Sequence, residues 1–549
     1  MNNRRDNTLV KNASFLMAAA LISKIIGMLY KSPLSSMLGS ESMALFQYAQ
    51  NAYFILLMIA SFSIPQAVSK IMAEKIAFHR YRDAQKVFYG ALLYAVLAGG
   101  AVALFCLFGT SILVPDTMAG ARLALKMLAP TIFLSGILGV FRGYFQAYRN
   151  MMPTSLSQII EQIFVAVFAL LMSGVMLGQF AGKGGETAQS WAAAGATMGT
   201  GAGVLSALLF MVAVYLLNRR NIRRRLRRDR CSVNESYASV MKTIVLIVMP
   251  IILSAFIYNV NGYINSYMYS GIMGYKGMEE KLLQTLYAEY GYFMTLINIP
   301  LTLASTAPMS MIPEVSAHYA RRDMAMAHEK IDRATWISML ISIPAAVGLA
   351  VLSGPITRLI FPVTNGVGAQ LLILGAVTII LNGNSNISNG VLQGIGKPNI
   401  PMINAAIALV VDVIAMLVLL FFTDLGIYAV VIAMIIYAVV MCLLNEIAMK
   451  KYVRYRNKWH IYLHPLLAAV PMAAVAGGVY YGLYALLAKT ALHAQLVNVL
   501  CLGVAVVLAA AVYFVVYLMV ADLSDEEIAM IPGGRILKRL ARRLPALGR

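Results

Sequence analysis

V-L-S-A-L-L-F-M-V-A-V-Y-L-L-N-R-R-N-I-R-R-R-L-R-R, Val204 to Arg228, decides the fold: an apolar run gives way to ten residues of which seven are arginine. The apolar part closes a stretch, 188–217, long enough at 1.5 Å per residue to cross a ~30 Å hydrocarbon core. The arginines mark the side on which the chain leaves it. The same alternation runs through the whole sequence. Fourteen mainly apolar spans fall at 13–38, 45–69, 87–109, 122–141, 155–178, 188–217, 243–271, 289–312, 335–353, 366–388, 400–422, 425–448, 461–487 and 494–520. The first tail, the even-numbered gaps and the last tail hold 35 of the 44 Lys and Arg. The odd-numbered gaps hold five; Lys24 and Lys31 lie inside span 1, and Arg122 and Lys126 near the start of span 4. Basic loops stay cytoplasmic, so both termini are expected inside, as an even span count also requires.

Composition points the same way. Sixty per cent hydrophobic residues and a mean hydropathy of +0.75 lie above the soluble range. The runs are long and continuous, without the short alternating segments of a membrane barrel, and only internally hydrogen-bonded helices otherwise satisfy the backbone in lipid. An all-α, multi-pass protein of an inner or plasma membrane is expected. The formal charge of +21 belongs to topology and to anionic lipid headgroups rather than to nucleic acid. In the tail, Ile536, Leu537, Leu540 and Leu544 share one helical face opposite the bases, the pattern of an interfacial helix. The four cysteines are far apart and form no metal or disulfide pattern. No cofactor is indicated, and the first span reads as retained.

The chain repeats itself. Ile64-Pro65-Gln66 matches Ile312-Pro313-Glu314 at an offset of 248, and Pro153 meets Pro401 at the same offset. Gly143-Tyr144-Phe145-Gln146-Ala147, after span 4, resembles Gly390-Val391-Leu392-Gln393-Gly394, after span 10, at 247. Two six-helix lobes are expected as a parallel repeat about an axis normal to the membrane. The N-lobe would cover 1–217, a basic cytoplasmic linker 218–242, the C-lobe 243–449, two extra helices 450–521, and a basic amphipathic tail 522–549. No gap is long enough for a catalytic domain, and no GxxxxGK[ST], HExxH or GxSxG sequence is present.

Polar residues inside spans are costly and mark cavities or partners. Lys24 and Lys31, two turns apart, share a face of span 1; Lys24 lies roughly 18 Å in from Asn12. They are candidates to attract an anionic headgroup, with snorkelling or pairing to an acid such as Glu161 as the structural alternative. Gln47, Gln50, Asn51 and Tyr53 on span 2, Asn259, Asn261 and Asn265 on span 7, and Asn382, Asn384, Asn386 and Asn389 on span 10 suit a sugar-binding wall equally with interhelical bridging. Glu161 and Asp412 occupy corresponding spans of the two lobes. They are candidate coupling-ion sites, or acids neutralised by a neighbouring base.

The stretch F-R-G-Y-F-Q-A-Y-R-N-M-M-P-T-S-L-S-Q-I-I-E-Q, Phe141 to Gln162, resembles the signature of bacterial polysaccharide-type exporters in the MOP flippase superfamily. Q-G-I-G-K-P-N-I-P-M-I-N, Gln393 to Asn404, resembles its partner in the second half. I-S-K-I-I-G-M-L-Y-K, Ile22 to Lys31, is similar to the first helix of lipid II flippases and of the stage V sporulation protein B group. The resemblance covers essentially the whole chain. It implies alternating access by two rocking lobes, a polyprenyl-diphosphate-linked sugar as cargo and a bacterial plasma membrane; a monomer without enzymatic activity is the expectation beside it. It also assigns Arg142, Gly143, Gln146, Pro153, Gly390, Gln393, Gly394, Lys397 and Pro401 to a gating loop motif. The lipid II branch carries a base where Lys24 stands. Its second first-helix arginine would fall on Tyr30, one position from Lys31, and its bases in spans 2 and 8 have no clear counterpart. The weighed alternatives are a multidrug/cation antiporter of the same superfamily, a polytopic enzyme of polysaccharide assembly, and a membrane scaffold.

Overall fold

The computed structural model describes residues 19, 21–62, 64–233, 235–309, 311–489 and 493–521. The start of span 1 and the amphipathic tail 522–549 lie outside the described residues. Among those described, the chain is helical without strands, in two compact units, Met1–Ala288 and Glu289–Arg549.

The first unit begins with α1 (21–29), whose hydrogen bonds continue through Tyr30 into α2 (Lys31–Leu57). Gly39 breaks the run at φ 71°, ψ 175°, where the sequence separates spans 1 and 2. A π turn, Met58–Phe62, leads into α3 (Ile64–Ala77). There follow α4 (Tyr81–Phe108), the short α5 (Thr110–Leu113), α6 (Ala121–Ala147), α7 (Met152–Phe180), α8 (Gly185–Leu217), α9 (Arg219–Arg228) and α10 (Tyr237–Tyr275). The division between the units falls within α11 (Glu280–Met309). The second unit continues with α12 (Ile312–Ala320), α13 (Met324–Val351), α14 (Ser353–Ile360), α15 (Val367–Gly375), α16 (Val377–Gly394), α17 (Asn399–Phe422), α18 (Ile427–Ala448), α19 (His460–Leu487) and α20 (Ala494–Val520).

Eleven helices among the described residues are long and apolar enough to cross a membrane, or twelve if α15 and α16, bent by 44°, form one span. Of the expected fourteen, span 1 begins outside the described residues and its described helix, 21–29, is too short to count alone, while α11, where span 8 is expected, is not apolar enough to qualify.

Small residues set the packing in the first unit. Gly195, Gly199 and Gly203 form a ladder along α8, where a Cβ would lie 2.8 Å from Met172 C, 2.6 Å from Ala169 Cα and 2.6 Å from Glu161 O of α7. Close backbone approach of this kind is how helices associate in lipid, where no hydrophobic force distinguishes partner from solvent. Nearer the basic loops, Phe88 stacks on Tyr215 at 5.2 Å and meets Phe141 edge-on at 5.4 Å. In the second unit α19 and α20 pack on α13: Trp336 Nε1 donates to Tyr517 OH (2.6 Å) and Tyr513 OH to Leu340 O (3.1 Å).

The segments that carry the repeated motifs pack as corresponding helix pairs, α3 on α6 and α12 on α16, through different residues. Pro65, opening α3, lies against Gly143 of α6, where a Cβ would sit 2.8 Å from Pro65 O. Ile312, opening α12, lies against Gly394 of α16, where a Cβ would sit 2.9 Å from Ile312 Cγ2. The turns that follow also match. The residues after α3, α6, α12 and α16 adopt left-handed conformations at His79, Arg149, Arg322 and Gly396. Each turn closes with a backbone bond spanning five residues, from Arg80 to Lys75, Asn150 to Phe145, Asp323 to His318 and Lys397 to Leu392, the Schellman ending of a helix.

Candidate functional site

The site expected from sequence is built on α1, α2, α7 and α10 in the first unit. Unbroken helical hydrogen bonds through Tyr30 keep Lys24 and Lys31 on one face. Lys24 is exposed and Lys31 half-buried. Helix α1 runs against α7, since a Cβ on Gly27 would lie 3.2 Å from Gln162 Oε1.

Beside this contact Glu161 is paired with Arg142 of α6. Nη2 lies 2.7 Å from Glu161 Oε2, and Nε donates to Ser157 Oγ at 3.0 Å. The base that neutralises Glu161 is therefore Arg142, not Lys24. The same geometry places Arg142 of the loop motif on the inner faces of α6 and α7, while Gln146 is half-buried and Pro153 buried at the start of α7.

The amides of α2 and α10 bridge helices. Gln50 Nε2 donates to Thr200 Oγ1 of α8 (2.7 Å). Asn51 Nδ2 donates to Ser266 Oγ (2.8 Å) and Gly262 O (3.3 Å) of α10, and Tyr287 OH donates to Ser266 Oγ (3.0 Å). Tyr263 OH donates to Leu113 O (2.7 Å). Asn259 is exposed and bonds mainly to its own helix through Ala255 O (2.7 Å). Asn261 and Asn265 are buried, and Asn261 Nδ2 has no hydrogen-bond partner among the described residues. A buried amide left without a partner costs about 1–3 kcal/mol, which marks Asn261 as a group suited to contact with a ligand.

In the second unit the asparagines of α16 divide by face. Asn389 Oδ1 accepts from Asn445 Nδ2 (2.8 Å), whose Oδ1 accepts from Asn404 Nδ2 (2.9 Å), a relay across α16, α18 and α17. Asn384 accepts from Tyr462 OH (2.8 Å), and Asn386 donates to Ser305 Oγ (2.8 Å). Asn382 is half-buried and Asp412 fully buried in α17. Of the loop motif, Gly390 and Pro401 are buried, Gln393 and Gly394 exposed, and Lys397 lies over the Tyr452 ring at 4.6 Å.

Two features escaped the sequence. Glu289, 1% exposed, accepts from Thr364 Oγ1 (2.7 Å) and from the backbone N–H of Asn365 (2.8 Å) and Gly368 (2.7 Å), capping the start of α15. At the opposite end of the first unit from the arginine-rich helix, a cavity of about 470 Å³ is lined by Glu41, Glu186, Gln189, Glu280, Lys281 and Gln284. The Glu41 carboxylate there accepts from Gln189 and pairs with Lys281 at 3.2 Å. Burial, reinforced by the neighbouring Glu186, raises the Glu280 carboxyl above its ordinary value. Both features join residues tens to hundreds of positions apart, and no local pattern announces them.

Comparison with known proteins agrees with this architecture. A family profile described as "Polysaccharide biosynthesis protein" matches residues 9–318, and a MatE profile matches 285–418. Lipid II flippase MurJ of Bacillus subtilis (strain 168) is 24% identical over 424 residues, 74% of this chain and 76% of the relative. Stage V sporulation protein B of the same organism is 22% identical over 449 residues, 81% and 84% of the two chains. Among solved structures, lipid II flippase MurJ in an inward closed conformation superposes with TM-score 0.61 at 14% identity, covering 91% of this chain and 98% of that one. A MATE transporter in complex with MaD3S gives 0.56 at 16% identity, covering 81% and 96%. With a profile spanning more than half its length and this fold, the chain belongs to the polysaccharide biosynthesis protein family of the MOP superfamily.

Proposed function

We propose that this protein carries a polyprenyl-diphosphate-linked sugar precursor, of the lipid II or a related cell-envelope kind, from the cytoplasmic to the outer leaflet of a bacterial plasma membrane. The diphosphate-sugar headgroup cannot cross hydrocarbon unaided, whereas the polyprenyl tail stays in lipid. The task needs a polar path and a gate but breaks no bond. The observation that carries the reading is Lys24, exposed on the first span with no carboxylate partner among the described residues. A lysine at that depth costs roughly 3 kcal/mol on insertion scales, and a phosphate-bearing headgroup offsets such a cost. Lys31 and Asn261 are assigned to the same path, with Glu161 or Asp412 as candidate coupling sites. Two relatives, a lipid II flippase and a sporulation protein, support this cargo class. Depleting the protein in its host and measuring lipid-linked sugars by leaflet tests it: one undecaprenyl-diphosphate species should accumulate in the inner leaflet. No accumulation of any such lipid contradicts the reading.

A second reading, export of organic cations, draws on the MatE match at 285–418 and on the buried Asp412 within it. It predicts that depletion sensitises cells to cationic drugs and leaves lipid-linked sugars unchanged.

A further inference from the structure

The arginine-rich segment after α8 is held in place. Arg225 lies over the Tyr148 ring at 4.7 Å, and Arg82 Nε donates to Leu226 O at 3.2 Å. Ile222 and Leu226 are half-buried while every arginine of α9 is exposed. Immediately after α9, Asp229 accepts from the backbone N–H of Arg82 (2.6 Å), Cys231 (2.9 Å) and Ser232 (3.0 Å). Asp83, fully buried, accepts from Val233 N–H (3.0 Å) and pairs with Arg80 (2.8 Å), which also reaches Glu235 (2.7 Å). Lys75 pairs with Glu235 as well.

Charge that only sets topology needs no fixed conformation and is supplied equally by lysine and arginine. Here the segment is pinned and is arginine alone. Viewed down α9, Arg220, Arg224, Arg227 and Arg228 occupy the face opposite Ile222 and Leu226, at i, i+3 and i+4 separations that put neighbouring side chains about 5–6 Å apart. Among the described residues none of the four pairs with a carboxylate. Guanidinium forks grip phosphate oxygens two at a time, which an ammonium does not. That spacing suits two linked phosphates better than one.

We propose that this face of α9 is a docking surface for the diphosphate of a polyprenyl lipid in the cytoplasmic leaflet, distinct from the span-1 lysine. The inference rests on the transport reading for its ligand class, and its test is binding, so the two fail separately. Full-length K24A/K31A protein, which removes both span-1 lysines, is placed in neutral phosphatidylcholine nanodiscs and titrated with farnesyl diphosphate and farnesyl monophosphate. The diphosphate should bind about tenfold tighter. R220K/R224K/R227K/R228K keeps the charge and, with an unchanged unfolding midpoint, should weaken the diphosphate about tenfold and the monophosphate less than about threefold. Equal binding of the two ligands by the parent, the behaviour of a surface that reads anionic charge alone, overturns the proposal. Retention of the diphosphate preference by the lysine variant overturns it too.

Discussion

Glu161 shows what a single residue can and cannot disclose. Its pairing with Arg142 leaves both side chains mostly out of water, at 17% and 20% exposure. Removing one partner of such a pair leaves an uncompensated charge, so Glu161→Gln should destabilise by about 2–4 kcal/mol. The double variant R142M/E161L should cost markedly less than Glu161→Gln and Arg142→Met summed. A double-mutant cycle on thermal unfolding measures this, and additive losses would show that the two charges act independently. The pair was legible in principle: α6 and α7 form a hairpin around Asn150 and Met151, and Arg142 and Glu161 lie nearly equidistant from that turn. The asparagines were not. Whether an amide bridges helices, as Asn51, Asn389 and Asn404 do, or is left without a partner, as Asn261 Nδ2 is, depends on which helix lies opposite. A single sequence does not encode that choice in spacing.

At the scale of elements, the basic turns carry two predictions. Arg322 closes α12 at φ 61° with an exposed side chain. A side chain in that left-handed region costs about 1 kcal/mol relative to glycine. Arg322→Gly should therefore raise the unfolding midpoint by a few degrees, and a lowered midpoint would show that the guanidinium matters more than the backbone. The strap after α9 should respond to acid. Burial alone would raise the Asp229 carboxyl, but hydrogen bonds from Ser232 and the backbone N–H groups of Arg82, Cys231 and Ser232 outweigh it and bring it down to about 2. Lys75 and Arg80 hold Glu235 below its ordinary value. Carboxyls depressed by folding contribute stability that is full above their unfolded values near 4 and is lost as pH falls through the folded ones. The N–H groups of Val233 and Glu235 donate to Asp83, whose carboxyl is likewise held below its ordinary value. Their protection factors, exchange corrected for the intrinsic rate at each pH, should be high at pH 6 and collapse between about pH 4 and 2; protection factors that persist at pH 2 contradict the assignment. The helices themselves were legible from run length and loop charge, and Gly39 falls in the gap read between spans 1 and 2. The strap was not legible, because Asp83 and Asp229 lie in segments that read merely as charged loop.

For the whole molecule, the alternation of basic gaps predicts an orientation, with Arg223 and Arg454 cytoplasmic and Ser40 and Lys183 external. Single-cysteine labelling of intact cells with an impermeant reagent should modify positions 40 and 183 and spare 223 and 454; the reverse pattern inverts the topology. The α3–α6 contact at Pro65 and Gly143 and the α12–α16 contact at Ile312 and Gly394 fall on corresponding helix pairs of the proposed six-helix plan, though through different residues. The central claim is that this plan moves a diphosphate-linked sugar lipid across the membrane. The most direct measurement reconstitutes the full chain in proteoliposomes containing a fluorescent polyprenyl-diphosphate sugar and follows its exposure to a membrane-impermeant quencher. Wild-type protein should make the inner-leaflet pool accessible well above the rate of protein-free vesicles, Lys24→Arg should retain much of that activity, and Lys24→Ala, inserted to the same level, should fall to the protein-free rate. Wild-type vesicles no faster than protein-free ones, or Lys24→Ala as fast as wild type, would contradict the account.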